Sequence, residues 1–382
     1  MPLPTVVDWR AIRSEFPALK RWTYLNTATF GQLPKRSVEA IARHLAHRDE
    51  TACSDFLSWF DDADRLRAAL ARLIHAASGD IAFIPNASSG LSLLLAGIDW
   101  RPGDRVLTLK DEFPNNSYAP ALLAGRGIEF VETSWDDFYD ALTPRTRLVA
   151  LSEVSYMNGF RPPLAEISQR VHAQGGLLYV DGTQSLGALC FDVDAVRPDM
   201  LAVHGYKWLL SPNGAAFLYI SPALRERIEP AVVGWRSHRG WRDVDNLYHG
   251  APEFVETAEK YEGAMLSFPA LYGMQASVEM ILEIGPELIE RRVKQLAGYA
   301  REALRGLGAR LPFDEQPYFD SPIIAARFEH GDASTMAREL KTGGVQISAR
   351  HGFLRISTHF YNNEEDVDKL IAGLKKIADA SA

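Results

Sequence analysis

Two cysteines, Cys53 and Cys190, are all that the 382 residues contain. They stand far apart with no CxxC spacing, which excludes a disulfide framework and a clustered-cysteine zinc site. No basic block occurs, and 41 Lys and Arg residues are outnumbered by 49 Asp and Glu, for a net charge of −8. The electrostatic footprint of a nucleic-acid or anionic-membrane binder is therefore missing. The acidity reads as solubility. The longest apolar run, "LSLLLAGI", is too short to span a bilayer. The stretch "MPLPTVVDWRAIRSEF" is charged and broken by prolines, unlike a signal peptide. Internal repeats, low-complexity tracts and linkers are also lacking. The expectation is a cytoplasmic, reduced setting with no membrane and no nucleic-acid partner.

What the chain does have is a regular alternation from about residue 80 to 220. The apolar runs "DIAFIP", "RVLTLK", "IEFVETS", "RLVALSEV", "GGLLYVD", "DMLAVHG" and "AAFLYI" read as strands. Between them "ASSGLSLLLAGI", "SYAPALLAGRG" and "PLAEISQRVHAQ" carry apolar residues at helical spacing. Near-continuous apolar strands separated by helices predict an α/β fold whose central sheet is mostly parallel and covered on both faces. Ligands of such sheets bind outside the carboxyl ends of the strands. After about residue 255 the pattern turns to long helices, then short strands in "SPIIAARFE", "GVQIS" and "FLRIST". A last helix follows in "NNEEDVDKLIAGLKKIADA", with Asn362 or Asn363 as N-cap. This predicts a large α/β domain over residues 18–255. A smaller α+β domain is expected over 256–382, joined by the N-terminal segment 1–17.

Three features fall where strands should end. In "PNASSGLSLLL" a turn carrying Asn86, Ala87, Ser88 and Ser89 opens a helix; free N–H groups and hydroxyls there suit an anion, though a plain helix cap reads the same way. In "LLYVDGTQSLG" Asp181 ends a strand, where a turn former is equally at home. In "AVHGYKWLLSPNGAAFLYI" Lys207 stands between two core-like runs. Lysine is almost never buried without a partner, so Lys207 is either at a surface corner or held inside for chemistry.

Together these residues resemble the class V aminotransferase family, the group that also holds cysteine desulfurases, kynureninases and isopenicillin N epimerase-like enzymes. The similarity runs from "YLNTATFGQLP" through "NASSG", "DEFPNNS" and "YVDGTQSLG…HGYKW" to "LRISTHFYNNEEDVD", nearly the whole chain and in the family's order. It implies fold type I and pyridoxal 5′-phosphate (PLP) as cofactor, with no metal. Under the resemblance Lys207 forms the Schiff base with PLP, and burial beside cations would lower its pKa as that attack requires. Asp181 matches the partner of the pyridine nitrogen, Gln184 the contact to the ring's 3′ oxygen, and Phe113 the stacked aromatic. Phosphate contacts carry over to Ser88, Ser89, His204 and Tyr206. The last two depart from the family's Ser-x-His, so which one touches phosphate stays open. Where relatives have Gly-Thr reaching the neighbouring subunit's phosphate, "KYEGAMLSFP" has no threonine, and Ser267 is the substitute.

Arg355 in "LRIST" matches the arginine that holds the substrate α-carboxylate. A planar fork suits that task, although a strand arginine is ordinarily a surface ion-pair partner. Ala28, Tyr156 and Arg350 join the expected substrate-binding set. The loop "GWRSHRGWRD" lines a substrate entrance or is a solvated loop with aromatic anchors.

The resemblance implies a homodimer and a small-molecule amino-acid substrate attacked at Cα. A persulfide mechanism needs a cysteine near the C-terminal domain, and none is there. Aminotransfer is the favoured reaction, because it needs no residue beyond Lys207 and Asp181. A C–S or other β-lyase, an epimerase, kynureninase-type cleavage and an inactive PLP-fold binding protein are the alternatives. For a lyase, Tyr156, His238, His351 and His359 are unranked candidates for the acid.

Overall fold

A computed structural model describes residues 7–381. Of the segment 1–17, residues 1–6 lie outside the described residues. Seven strands form the central sheet: β1 Ile81–Ile84, β2 Arg105–Leu109, β3 Glu129–Thr133, β4 Thr146–Ser152, β5 Leu177–Asp181, β6 Met200–His204 and β7 Ala216–Ile220. Their order across the sheet is β1-β7-β6-β5-β4-β2-β3. Every pairing is parallel except the two that β7 makes, with β1 and β6. The fold is α/β with a mostly parallel sheet.

The strands read as continuous apolar runs because both faces are buried. Alternate residues go to opposite cores. In β4, Val149 and Leu151 join one cluster, and Leu148 and Ala150 the other. Helices α1 (Lys35–Thr51) and α2 (Ser58–Leu73) precede the sheet. On one face lie α2 through Phe60, Leu66 and Leu70, and a later helix, Leu164–Ala173, through Ile167 and Val171. The opposite face is covered by α3 (Ala87–Gly97) through Leu91 and Leu94. Sheet order and pleat together aim the β5 and β6 ends at the same edge.

Helix α4 (Phe268–Ile284) packs against α1 and α2, with Met274, Val278 and Ile281 in the first core. Helix α5 (Pro286–Gly306) begins in that core at Ile289 and Val293 and ends in a separate one at Ala297, Ala300 and Leu304. This third cluster lies under an antiparallel sheet of β8 (Ile323–Ala326), β9 (Ser348–Arg350) and β10 (Phe353–Ser357), ordered β9-β10-β8. Helices α6 (Ala333–Thr342) and α7 (Glu364–Ser381) close it through Leu340, Leu370 and Leu374. Asn363 is the cap of α7: its Oδ1 accepts the Asp366 N–H at 3.1 Å, whereas Asn362 bonds Tyr24 and His359. A short helix, Trp9–Ser14, is tied to this end by Arg13, whose guanidinium meets Asp366 at 2.8 Å. Among the described residues no helix is long and apolar enough to cross a membrane, and no acidic, His and Cys cluster could hold a metal.

The "GWRSHRGWRD" loop is anchored in the fold and does not line the cavity described below. Arg236 is buried, with Glu262 at 2.8 Å and Glu259 at 2.5 Å, and Arg67 meets the other Glu262 oxygen at 2.6 Å. Arg242 bridges Asp61 and Asp64, both at 2.9 Å.

Candidate active site

A small cavity opens at the carboxyl ends of β5 and β6. It is lined by Ala87, Phe113, Asn115, Ser152, Tyr156, Asp181, Thr183, Gln184, His204, Tyr206 and Lys207. Lys207 follows β6 in a turn and is only 5% exposed. The question its sequence position raises is thus answered: it is inside. The turn is held by a close backbone approach, since the Gly31 N–H donates to Tyr206 O at 2.9 Å. A Cβ on Gly31 would come within 1.9 Å of Lys207 O, so only glycine fits there.

Burial lowers the Lys207 pKa to about 8; Arg355 and Arg350 push the same way and Asp181 opposes them. Its Nζ stands 5.3 Å from the Phe113 ring centre and 5.4 Å from that of Tyr206. Asp181 is the last residue of β5, also 5% exposed. Burial raises its pKa, while the Thr183 hydrogen bonds and Lys207 hold it down. One carboxylate oxygen accepts the Thr183 N–H at 2.9 Å. Gln184 is locked by two bonds, donating to Ala28 O at 3.0 Å and accepting from Trp208 Nε1 at 3.0 Å. Ala28 thereby lies behind the cavity wall.

His204 ends β6 with Nε2 buried and without a partner. Burial, then Lys207, pushes its pKa down to about 4, so the ring is neutral. Tyr206 packs edge-on against it at 4.4 Å. At the start of α3 the cap is Asn86, whose side chain accepts from Ser89 N at 3.0 Å and from the Ser89 hydroxyl at 3.1 Å. Ala87 lines the cavity; Ser88 and Ser89 follow it in the first turn of α3, half-buried and outside the lining. Ser267 is exposed at the start of α4, outside the cavity.

Arg355 comes from β10 and is 1% exposed. Its Nε donates to Ser348 Oγ at 3.1 Å, Nη1 to Tyr156 O at 2.7 Å and Nη2 to Thr29 Oγ1 at 2.5 Å. Burial, then Arg350, lowers its pKa to about 9. Arg350 stands on β9 and donates to Ala349 O. Tyr156 packs edge-on to Phe113 at 5.2 Å, with its hydroxyl 3.2 Å from His351 Nε2. The structure therefore brings Lys207, Asp181, Gln184, His204, Tyr206, Phe113 and Tyr156 to one cavity, with Arg355 tied to its wall.

Sequence reasoning passed over Thr29, Asn115, Ser152 and Thr183. Thr29 stands in the quoted "YLNTATFG" and Thr183 in "YVDGTQ", so their motifs were visible. Their contacts were not.

A family model described as aminotransferase class-V matches residues 23–370. The chain is 25% identical to a probable cysteine desulfurase of Methanothermobacter thermautotrophicus, over 96% of this chain and 97% of that protein. It is 27% identical to the isopenicillin N epimerase of Streptomyces clavuligerus, over 97% and 98%. Among solved structures it is similar to the cystine C–S lyase C-DES, solved with its product cysteine persulfide. The TM-score is 0.84 at 25% identity, covering 94% of this chain and 98% of that one. A variant of the same lyase has been solved with glycine linked to its PLP.

PLP is the cofactor this fold carries, and the residues fit it. A lysine of lowered pKa, a buried carboxylate, an aromatic face and an unpartnered buried imidazole nitrogen line one cavity. They match an aldehyde, a pyridine nitrogen, a flat ring and a phosphate.

Proposed function

This chain belongs to the class-V aminotransferase family, and from that premise we propose that it removes the Cα proton of a small-molecule amino acid and expels a group from Cβ, as a C–S lyase. The observation that carries this reading is the cavity itself, in which Lys207 and Asp181 are buried together while both cysteines lie elsewhere. Cys53 sits in the turn after α1. The Cys190 thiol is pushed up to about 12 by burial and Glu290, which makes it a poor nucleophile. Sulfur cleaved from a substrate would leave as a free product, as in a lyase, and would not be carried on a protein cysteine.

When bound, PLP supplies an electron sink for the electrons of a bond broken at Cα. Asp181 would keep the pyridine nitrogen protonated. Lys207 would hold the cofactor and, once released by the substrate amine, take the Cα proton. Arg355 would hold the α-carboxylate, with Arg350 adding positive field and Ala28 behind Gln184. Phe113 would cover the ring and Gln184 its 3′ oxygen. The phosphate would meet His204 through Nε2, with Tyr206, Ser88 and Ser89 around it and the α3 N-terminus adding its dipole.

Aminotransfer is the second reading, supported by Lys207 and Asp181 in one cavity, because it asks for no further residue. A homodimer is part of the same reading, with Ser267 beside the partner's site. Exposed Val232, Val233 and Met265 around Gly263 are the support, and light scattering showing an active monomer would refute it. A cytoplasmic setting is part of the same reading, and the two unpaired cysteines, Cys53 and Cys190, support it.

The deciding experiment supplies an S-alkyl cysteine without keto acid. A lyase releases thiol, pyruvate and ammonia catalytically, with PLP retained. Stoichiometric conversion of the cofactor to its amine form, then arrest, would give the reaction to aminotransfer.

A further inference from the structure

Expelling a thiolate from Cβ calls for a proton donor, and four side chains are candidates by type. His359 is spent in the fold: its Nε2–H donates to Trp208 O at 2.9 Å and its Nδ1 accepts the Phe360 N–H at 2.8 Å. Burial pushes its pKa down to about 3, so it carries no spare proton. His238 lies in the loop outside the cavity, stacked on Tyr248 at 4.5 Å and accepting the Glu253 N–H at 3.0 Å.

Tyr156 and His351 differ from both. The Tyr156 side chain lines the Lys207 cavity. Its backbone carbonyl accepts from Arg355, the expected carboxylate-binding residue, and its ring packs edge-on to Phe113, which orients the side chain. Burial, then the charge of Asp111, raises its pKa above the usual value against the pull of Arg350 and Arg355, so it stays protonated. Its hydroxyl meets His351 Nε2 at 3.2 Å. His351 is exposed on the tight turn between β9 and β10 and has φ of +48°. That conformation is what the two-residue loop between the paired residues Arg350 and Phe353 requires, with Gly352 also at positive φ.

We propose that Tyr156 is the acid that protonates the group leaving Cβ and that His351 resupplies its proton from solvent. The proposal rests on the lyase reading above. In the step, the Cα proton goes to Lys207 Nζ and the Cβ–S bond breaks with its electron pair on sulfur. The Tyr156 hydroxyl gives that sulfur its proton. The phenolate regains one from His351 Nε2–H as the other ring nitrogen takes one from solvent, so the imidazole stays neutral. The remaining three-carbon fragment takes up one water and ends as pyruvate and ammonia. Tyr156 is thus a catalytic residue, and His351 is a positioning and proton-relay residue.

The test compares two substrates of the holoenzyme, S-methylcysteine, whose thiolate needs a proton, and 3-chloroalanine, whose chloride does not. Positioned acids contribute roughly 10²–10⁴-fold. Tyr156→Phe should therefore lower kcat on S-methylcysteine by about that factor. Its losses on 3-chloroalanine and in Cα–H exchange in D₂O should be much smaller, so that the ratio of kcat on the two substrates shifts. His351→Ala should show a smaller loss of the same selectivity, restored by added imidazole. Equal loss on both substrates, or no loss on either, overturns the proposal and leaves the lyase reading standing. A parent enzyme that exchanges Cα–H but eliminates from neither substrate overturns the lyase reading, and this proposal with it.

Discussion

Arg355→Lys probes the carboxylate site, and its size can be worked from the contacts. A guanidinium has five N–H donors in one plane. Here Ser348, Tyr156 and Thr29 each take one, which leaves one N–H on each Nη. That pair matches the two oxygens of a carboxylate. Lysine has three N–H groups on one nitrogen and no fork. It cannot keep the wall contacts and grip both oxygens. Losing one charged hydrogen bond costs about 1.5–3 kcal/mol. At about 1.4 kcal/mol per decade, amino-acid affinity should fall roughly 10–100-fold. PLP affinity should change less than about twofold, because none of the cavity residues matched to the phosphate or pyridine is altered. The assay titrates the holoenzyme's visible absorbance with an amino acid, and the apoenzyme with PLP. A simple amine without a carboxylate serves as control and should bind both forms alike. Parallel loss of PLP and amino-acid affinity, or equal weakening of the control amine, would show that Arg355 supports the wall only.

Capture of PLP by the apoenzyme should need the neutral Lys207 amine, so its rate should climb as pH rises toward about 8 and level off above it. Borohydride reduction followed by peptide mapping checks that the label is on Lys207; a label elsewhere, or a rate still climbing past pH 10, refutes the assignment. Asp181→Asn keeps the shape and the Thr183 contact but loses the charge, and kcat should drop roughly 10²–10³-fold. Near-normal turnover would remove Asp181 from the mechanism. Glu262→Gln leaves Arg67 and Arg236 buried with too little countercharge and should cost about 3–5 kcal/mol in urea unfolding. The carboxyl is held below its usual pKa by those arginines against its own burial. Its contribution is therefore present above the unfolded value near 4.3 and is lost as pH falls through the folded one. A loss no greater than about 1 kcal/mol at neutral pH would mark the pair as equivalent to a surface bridge.

Much of this was legible before any coordinates. Seven apolar runs, each short and bounded by turns, announced seven strands, because burial on both faces leaves no polar alternation to confuse the period. Lys207 and Asp181 could be singled out because a charged residue at the end of such a run is costly unless used. The cap of α3 was left open by sequence order alone. Several residues in "NASSG" can cap, and only backbone geometry selects Asn86, whose φ and ψ of −166° and 165° let its side chain reach Ser89 N. The arginines of the tryptophan-rich loop read as a possible entrance. Their burial against Glu259 and Glu262 follows from long-range packing that no local window contains.

By itself the sequence determined the strand and helix periods, the lack of a CxxC spacing, and the residue types at each strand end, since all of these depend on neighbours a few positions away. The tertiary structure alone decided that Thr29, Tyr156 and Arg355, distant along the chain, meet at 2.5 to 2.7 Å. It also decided that His359 is spent on Trp208 while His351 is free to face Tyr156. Those outcomes depend on the order of strands in the sheet and on how the β9–β10 turn docks over it. Three histidines with identical side chains carry no local signal of which one will be buried, stacked or left facing Tyr156.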